Sequence, residues 1–282
     1  MSKLFWRTIA AVAIALFTIP AFAANEKDYT YLALGDSVAF GFDPTEKKFT
    51  PSKFVGYPDR VAISLKNTNG KDLVNAACPG QSSGSFLAGG FASPDLGCEY
   101  YKTTYGLHTD YLCRTQVSFA ISELARNRAI NLVTLSIGGN DLALLQNACA
   151  NSNFDIFAAC VGAGITGVLQ NYGQNLTGIL IALRSTGYTG KIVLLKYYSP
   201  NSSLVFRGAV TALNDVMAFV GTQLGFGALI ADGFTAFDDA SVSSRGDACV
   251  AGLLVRLTKT SCDIHPSDKG HKVLADAVIA AH

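Results

Sequence analysis

Tyr29-Thr-Tyr-Leu-Ala-Leu-Gly-Asp-Ser37 decides how this 282-residue chain is to be folded. Tyr29 to Leu34 is a short apolar run that reads as a strand, and Gly35-Asp36-Ser37 follows it directly. The Ser37 hydroxyl is therefore expected at the carboxyl end of a sheet. Four further runs share this character: Asp72 to Ala76, Leu132 to Ile137, Ile192 to Lys196 and Ala228 to Ala231. Helical spacing lies between them, clearest in Ile165, Val168, Leu169, Tyr172, Leu176, Ile179, Leu180 and Leu183. Weaker helical sets occupy Phe54 to Leu65, Val117 to Ala125 and Val210 to Leu224, and a last helix is expected over Ser267 to Ala280. Strands alternating with helices build βαβ units on a parallel sheet, an α/β fold. The helical stripes read as core faces, not as binding surfaces.

No repeat, low-complexity segment or linker interrupts the series, so residues 24–282 are expected to form one domain. Two insertions depart from it: Gly84 to Thr115, rich in Gly and Tyr, and the Cys-closed loop Asn147 to Cys160. Ligands of open α/β sheets bind outside the carboxyl ends of the strands, where both insertions are expected to shape a pocket. Tyr100, Tyr101, Tyr105 and Phe86 would either line it for an acyl group or pack the inserted loop.

The 49% hydrophobic content is ample for a core. Lys plus Arg number 22 against 21 Asp plus Glu, which leaves no basic surplus for nucleic acid and no acidic solvating tail. At the start, Lys3 and Arg7 precede the apolar Thr8 to Ile19 and the A-x-A site Ala21-Phe22-Ala23. This reads as a secretory signal peptide over residues 1–23, cleaved to give a secreted or periplasmic protein beginning near Ala24. A permanent anchor would need about 20 apolar residues, and Pro20 breaks the run. No other stretch reads as long and apolar enough to span a bilayer.

All seven cysteines follow the expected cleavage point, and an oxidising compartment favours disulfides. Nearness in sequence suggests Cys98 with Cys113, Cys149 with Cys160 and Cys249 with Cys262, leaving Cys78 over. A zinc site is the competing reading, but the chain has no C-x-x-C pair with a close histidine, so no metal is expected.

Serine is a poor nucleophile without a base. Among four histidines, His265 stands in Asp263-Ile264-His265-Pro266, where an Asp can accept the Nδ1 proton and leave Nε2 facing the serine. His108 and His271 lack such a neighbour. Two turns could stabilise an oxyanion: Gly80, after the second strand, offers an unobstructed backbone N–H, and Asn140 in Gly138-Gly139-Asn140-Asp141, after the third, offers a side-chain amide. Asp36 and Asp141 read as braces for their loops.

In order and placement, Ser37, Gly80, Asn140 and His265 resemble the four blocks of the SGNH (GDSL-type) hydrolases over about Thr30 to Ala280. That resemblance implies a three-layer α/β/α sandwich around a parallel sheet of about five strands, the flavodoxin-like SGNH fold. It implies a serine esterase or lipase without metal or cofactor. Ser37, His265 and Asp263 would be catalytic, and the oxyanion hole would comprise the Ser37 and Gly80 N–H groups and the Asn140 side chain. The substrate would be a small-molecule, lipid or carbohydrate ester. In one respect the chain departs from the family pattern: many members carry the acid three residues before the histidine, where this chain has Cys262, and Asp263 lies two before.

Two rivals remain. Gly80-Gln81-Ser82-Ser83-Gly84 satisfies G-x-S-x-G and would make Ser82 the nucleophile of an α/β-hydrolase, but Ser85 to Pro94 is a poor match to the helix that motif requires. The other is a non-catalytic secreted binding protein on the same fold.

Overall fold

The computed structural model describes residues 30–65, 72–89, 97–111, 114–151, 153–201 and 203–282. The expected signal peptide, and with it Ala24, lies outside them. In chain order the elements are β1 (Tyr31–Gly35), α1 (Ser37–Phe40), α2 (Tyr57–Ser64), β2 (Leu73–Asn75), α3 (Ser83–Ala88), α4 (Gly97–Thr104), α5 (Gln116–Arg126) and β3 (Leu132–Ser136). There follow α6 (Gly139–Ala148), α7 (Phe154–Ser185), β4 (Lys191–Leu195), α8 (Leu204–Gln223), β5 (Leu229–Ala231), α9 (Gly233–Ser241), β6 (Leu254–Arg256), β7 (Cys262–Pro266) and α10 (Asp268–Ala281).

β1 to β5 form one parallel sheet in the order β2-β1-β3-β4-β5. Every residue of β1 and of β3 is buried, because helices cover both faces and leave no position for a polar side chain to reach water. One layer is formed by α2 and α10, and the other by α5, α7 and α8. Within α7, Tyr172, Leu176, Ile179, Leu180 and Leu183 are wholly buried, the face that the helical spacing predicted. Two of the helices start at side-chain caps: at α7, Asn153 accepts from the Asp155 N–H at 3.0 Å, and at α10, Ser267 accepts from the Gly270 N–H at 3.2 Å.

From β1 the chain moves to β2 on one side and then to β3 on the other. This reversal of strand order leaves a crevice beyond the carboxyl ends of β1 and β3. A separate antiparallel hairpin, β6 with β7, pairs Leu254 with Pro266 and Arg256 with Cys262.

Several expectations need correction. Cys98 is joined to Cys78, not to Cys113, which lies outside the described residues. Pairing follows distance in the fold: Gly80 and Gly97 cross so closely that a Cβ on Gly80 would stand 2.8 Å from the Gly97 Cα, and this brings the Cys78 and Cys98 Cα atoms to 5.4 Å. The other two pairs are as expected, Cys149 with Cys160 and Cys249 with Cys262. The segment from Asn147 to Cys160 is not simply a loop, since it holds the end of α6 and the start of α7. After Gly80-Gln81-Ser82 there is a helix, α3, although a short one.

A further correction concerns membranes. By length and composition α7 and α8 are both apolar enough to cross a bilayer, with hydropathies of 1.2 and 1.4. In this fold they pack on each other, α7 also against α3, α5 and α6, and α8 against β4 and β5 through the buried Val210, Leu213, Met217 and Val220.

Candidate active site

Three strand ends deliver the polar side chains. β1 leads directly into Asp36, which caps α1 by accepting the Val38 N–H at 3.0 Å and sets Ser37 as the first helical residue. β3 leads through Ile137 to Gly138, where φ is +121° and a Cβ would stand 2.6 Å from the Tyr172 ring, leaving no room for a side chain. Asn140 follows in the first turn of α6. The hairpin strand β7 carries Asp263 and His265, tethered at its first residue by the Cys249–Cys262 disulfide.

These ends converge. His265 Nε2 lies 2.8 Å from Ser37 Oγ. Its Nδ1 hydrogen-bonds Asp263 Oδ1, and the His265 backbone N–H donates to the same oxygen at 3.0 Å. Partial burial works to raise the Asp263 pKa, yet the bonds from His265 outweigh it and hold the carboxyl below its ordinary range. The Phe42 ring stands edge-on to the imidazole, 5.0 Å between centroids, and limits how far it can swing.

Asn140 Nδ2 donates to the Gln81 carbonyl at 3.0 Å and lies 3.4 Å from Asp36 Oδ2. With Ser37 and His265, Asn140 lines one cleft. Gly80 occupies the turn after β2 against Gly97, one residue before Gln81, and is not among the residues that line this cleft. Ser82 is buried, and its Oγ caps α3 by accepting the Ser85 N–H at 3.1 Å. The imidazole of His265 turns to Ser37, not to Ser82. Asp141 accepts from the Ser83 N–H at 2.9 Å and from its hydroxyl, bracing α3 against α6.

The sequence model of the GDSL-like lipase/acylhydrolase family matches residues 33–273, which include Ser37, Asn140, Asp263 and His265. The chain belongs to the GDSL-like lipase/acylhydrolase family. It is an ester hydrolase, and its five-stranded parallel sheet between helices is the fold of that family. A phospholipase A1 from Streptomyces albidoflavus is similar in structure at 18% identity, with TM-score 0.60 over 90% of this chain and 100% of that one. An extracellular lipase from Streptomyces rimosus is similar at 19% identity and TM-score 0.61, with the same coverage. An acetylxylan esterase from Geobacillus stearothermophilus is similar at 16% identity and TM-score 0.55, over 90% of this chain and 93% of that one. No curated protein matches the sequence.

The GDSL hydrolase also uses residues that sequence reasoning passed over. Tyr197 donates its hydroxyl to Asp36 Oδ2, and Tyr198 donates to the Ile264 carbonyl at 2.7 Å. One tyrosine thus holds the Ser37 elbow and the next holds the His265 strand. Gln116 accepts from the Gly35 N–H at 2.6 Å and donates to the Gly35 carbonyl at 2.9 Å, fixing the end of β1. The tyrosine pair directly after a strand was the one available signal. Burial raises the Asp36 pKa to about 6, with the Tyr197 and Val38 hydrogen bonds pulling the other way. Of the tyrosine cluster, Tyr101 and Tyr105 pack against Phe49, and Phe86 is fully buried. Packing, not a cleft lining, is their place in the structure.

Proposed function

We propose that this hydrolase cleaves carboxylic esters through an acyl-enzyme on Ser37, with His265 as the base and Asp263 as its orienting acid. The observation that carries this reading is the continuous Asp263–His265–Ser37 hydrogen-bond relay opening on a cleft. His265 Nε2 takes the Ser37 proton as Oγ attacks the ester carbonyl, and returns it to the departing alkoxide. Water then gives a proton to the same nitrogen as its oxygen attacks the acyl carbonyl, and the acid leaves as the bond to Ser37 Oγ breaks and His265 returns that proton to Oγ. Asp263 remains ionised and stabilises the imidazolium.

The oxyanion formed at each step is met by the Ser37 N–H, which begins α1, by the Asn140 amide, and by the Gly80 N–H. Support for Gly80 comes from the resemblance and from its place next to Gln81, to which Asn140 is bonded. The protein is secreted after cleavage near Ala24, to the periplasm or outside the cell. Its three disulfides fit an oxidising compartment, and the similar lipase from Streptomyces rimosus is described as extracellular.

The test is hydrolysis of nitrophenyl esters by the protein beside Ser37→Ala and Ser82→Ala. Turnover lost in the first and kept in the second supports the reading. Turnover lost only in the second would transfer the nucleophile to Ser82, and no turnover by the parent protein on any ester would favour a binding protein.

A further inference from the structure

Beneath Ser37 and Asn140 lies a carboxylate that takes no part in the proton transfers proposed above. Asp36 is buried, and its Oδ1 accepts the Val38 N–H at 3.0 Å. Its Oδ2 faces two donors, the Tyr197 hydroxyl and, at 3.4 Å, the Asn140 amide. That amide carries two hydrogens. One goes to the Gln81 carbonyl at 3.0 Å, and the other is shared between Asp36 and any oxyanion formed at Ser37. An ionised carboxylate is a strong acceptor, so Asp36 competes for the hydrogen that an oxyanion would need.

Tyr197, two residues beyond β4, is fixed on every side. Its backbone N–H donates to Asn214 Oδ1 at 2.9 Å, and its carbonyl accepts from Asn214 Nδ2 at 2.8 Å, on the buried face of α8. Its ring lies against Gly139, where a Cβ would stand 2.8 Å from Tyr197 Cε1. Its oxygen accepts the Gly139 N–H, a donor of the first turn of α6, and its hydrogen goes to Asp36. One hydroxyl thus joins the cap of α1 to the turn that carries Asn140.

We propose that Tyr197 is a positioning residue that occupies the Asp36 carboxylate and so leaves the Asn140 amide free to meet the oxyanion. The inference rests on the roles proposed for Ser37 and Asn140. With the hydroxyl in place, Asp36 holds Asn140 only at 3.4 Å, longer than an ordinary N–H···O bond. Without it, the carboxylate would draw the amide in. The amide would then have to leave one negative charge to meet another. That cost arises as the oxyanion develops and not as substrate binds, so it falls on kcat and spares KM.

The test is Tyr197→Phe, which keeps the ring and removes the hydroxyl, assayed on the nitrophenyl ester that the parent turns over fastest. At about pH 8 Asp36 is ionised, since burial lifts its pKa only to about 6. The expected result is a loss of about ten- to a hundredfold in kcat with KM unchanged. The same substitution made in Asn140→Ala, or in Asp36→Asn, is expected to cost less than about threefold, because the amide or the competing charge is already gone. Should Tyr197→Phe not fold alone, the Asp36→Asn protein with and without it supplies the comparison, and a loss there above about threefold would overturn the inference. A parent-like kcat in Tyr197→Phe, an equal loss in all three backgrounds, or an Asn140→Ala variant as fast as the parent would overturn it too. Each of these leaves the Ser37 reading standing, provided that a fluorophosphonate still labels Ser37 in the parent. No turnover and no adduct in the parent would remove that reading, and this inference with it.

Discussion

At the scale of single residues, the reading of the site turns on a few atoms. Ser37→Ala removes the proposed nucleophile and is expected to lower kcat by about 10³-fold or more, measured on any ester that the parent turns over. Asp263→Asn keeps the shape of the strand but lets the imidazole settle in the wrong tautomer, and is expected to cost about 10²- to 10⁴-fold in kcat with little change in KM. Asp36 makes a different prediction. Its carboxyl is buried and titrates near 6 in the fold, above its ordinary value of 3.8. The folded state therefore binds this proton more tightly than the unfolded one. The resulting stabilisation is full below pH 3.8 and is lost as pH rises through about 6. Urea unfolding at pH 4 and pH 7 should show the parent losing about 2–3 kcal/mol relative to Asp36→Asn over that interval. Equal losses in both proteins would mean that Asp36 is not the buried acid described. That Ser37, His265 and Asp263 would meet was legible because the proposed nucleophile, base and acid leave marks in short motifs. Tyr197 and Gln116 were not, because a hydrogen bond between residues 161 positions apart, or 81, leaves no local pattern.

At the scale of elements, the five strands of the sheet were legible because burial on both faces forces continuous apolar runs. The hairpin of β6 and β7 was missed for the opposite reason. Cys262-Asp-Ile-His-Pro266 mixes charged and apolar residues, is only partly buried, and owes its extended form to pairing with Leu254 and Arg256. Most of α3 falls in Ser85 to Pro94, which reads as a poor helix because of Gly89, Gly90 and Ser93. The structure recovers it through the Ser82 cap and the two bonds from Ser83 to Asp141. The start of α7 falls in Asn147 to Cys160, which reads as a loop because Cys149 and Cys160 close it. Because β7 carries both Asp263 and His265, its tether bears on stability and on rate. Breaking the Cys249–Cys262 bridge, which closes 13 residues, is expected to cost about 3 kcal/mol. A double Cys249→Ser, Cys262→Ser variant should show this as a lower urea midpoint, together with a reduced kcat. An unchanged kcat in the folded variant would show that hydrogen bonds alone, such as Tyr198 to Ile264, are sufficient to place His265.

At the scale of the whole molecule, the topology explains why residues 228 positions apart meet. The order β2-β1-β3-β4-β5 opens the crevice between β1 and β3, and α10 returns the chain to the sheet so that β7 reaches the same end. The sequence carried the four motif blocks and their order, but the cleft that joins them is a product of packing between α6, α7 and α8. The Cys78–Cys98 pairing likewise needed the fold, since these two meet only where two glycine backbones cross.

The most direct test of the central claim is to react the mature protein with a fluorophosphonate and locate the adduct by peptide mass spectrometry. The account predicts one adduct per chain, on the peptide containing Ser37, with no labelling of His265→Ala under the same conditions. An adduct on Ser82, or equal labelling of Ser37 in the His265→Ala variant, would contradict it.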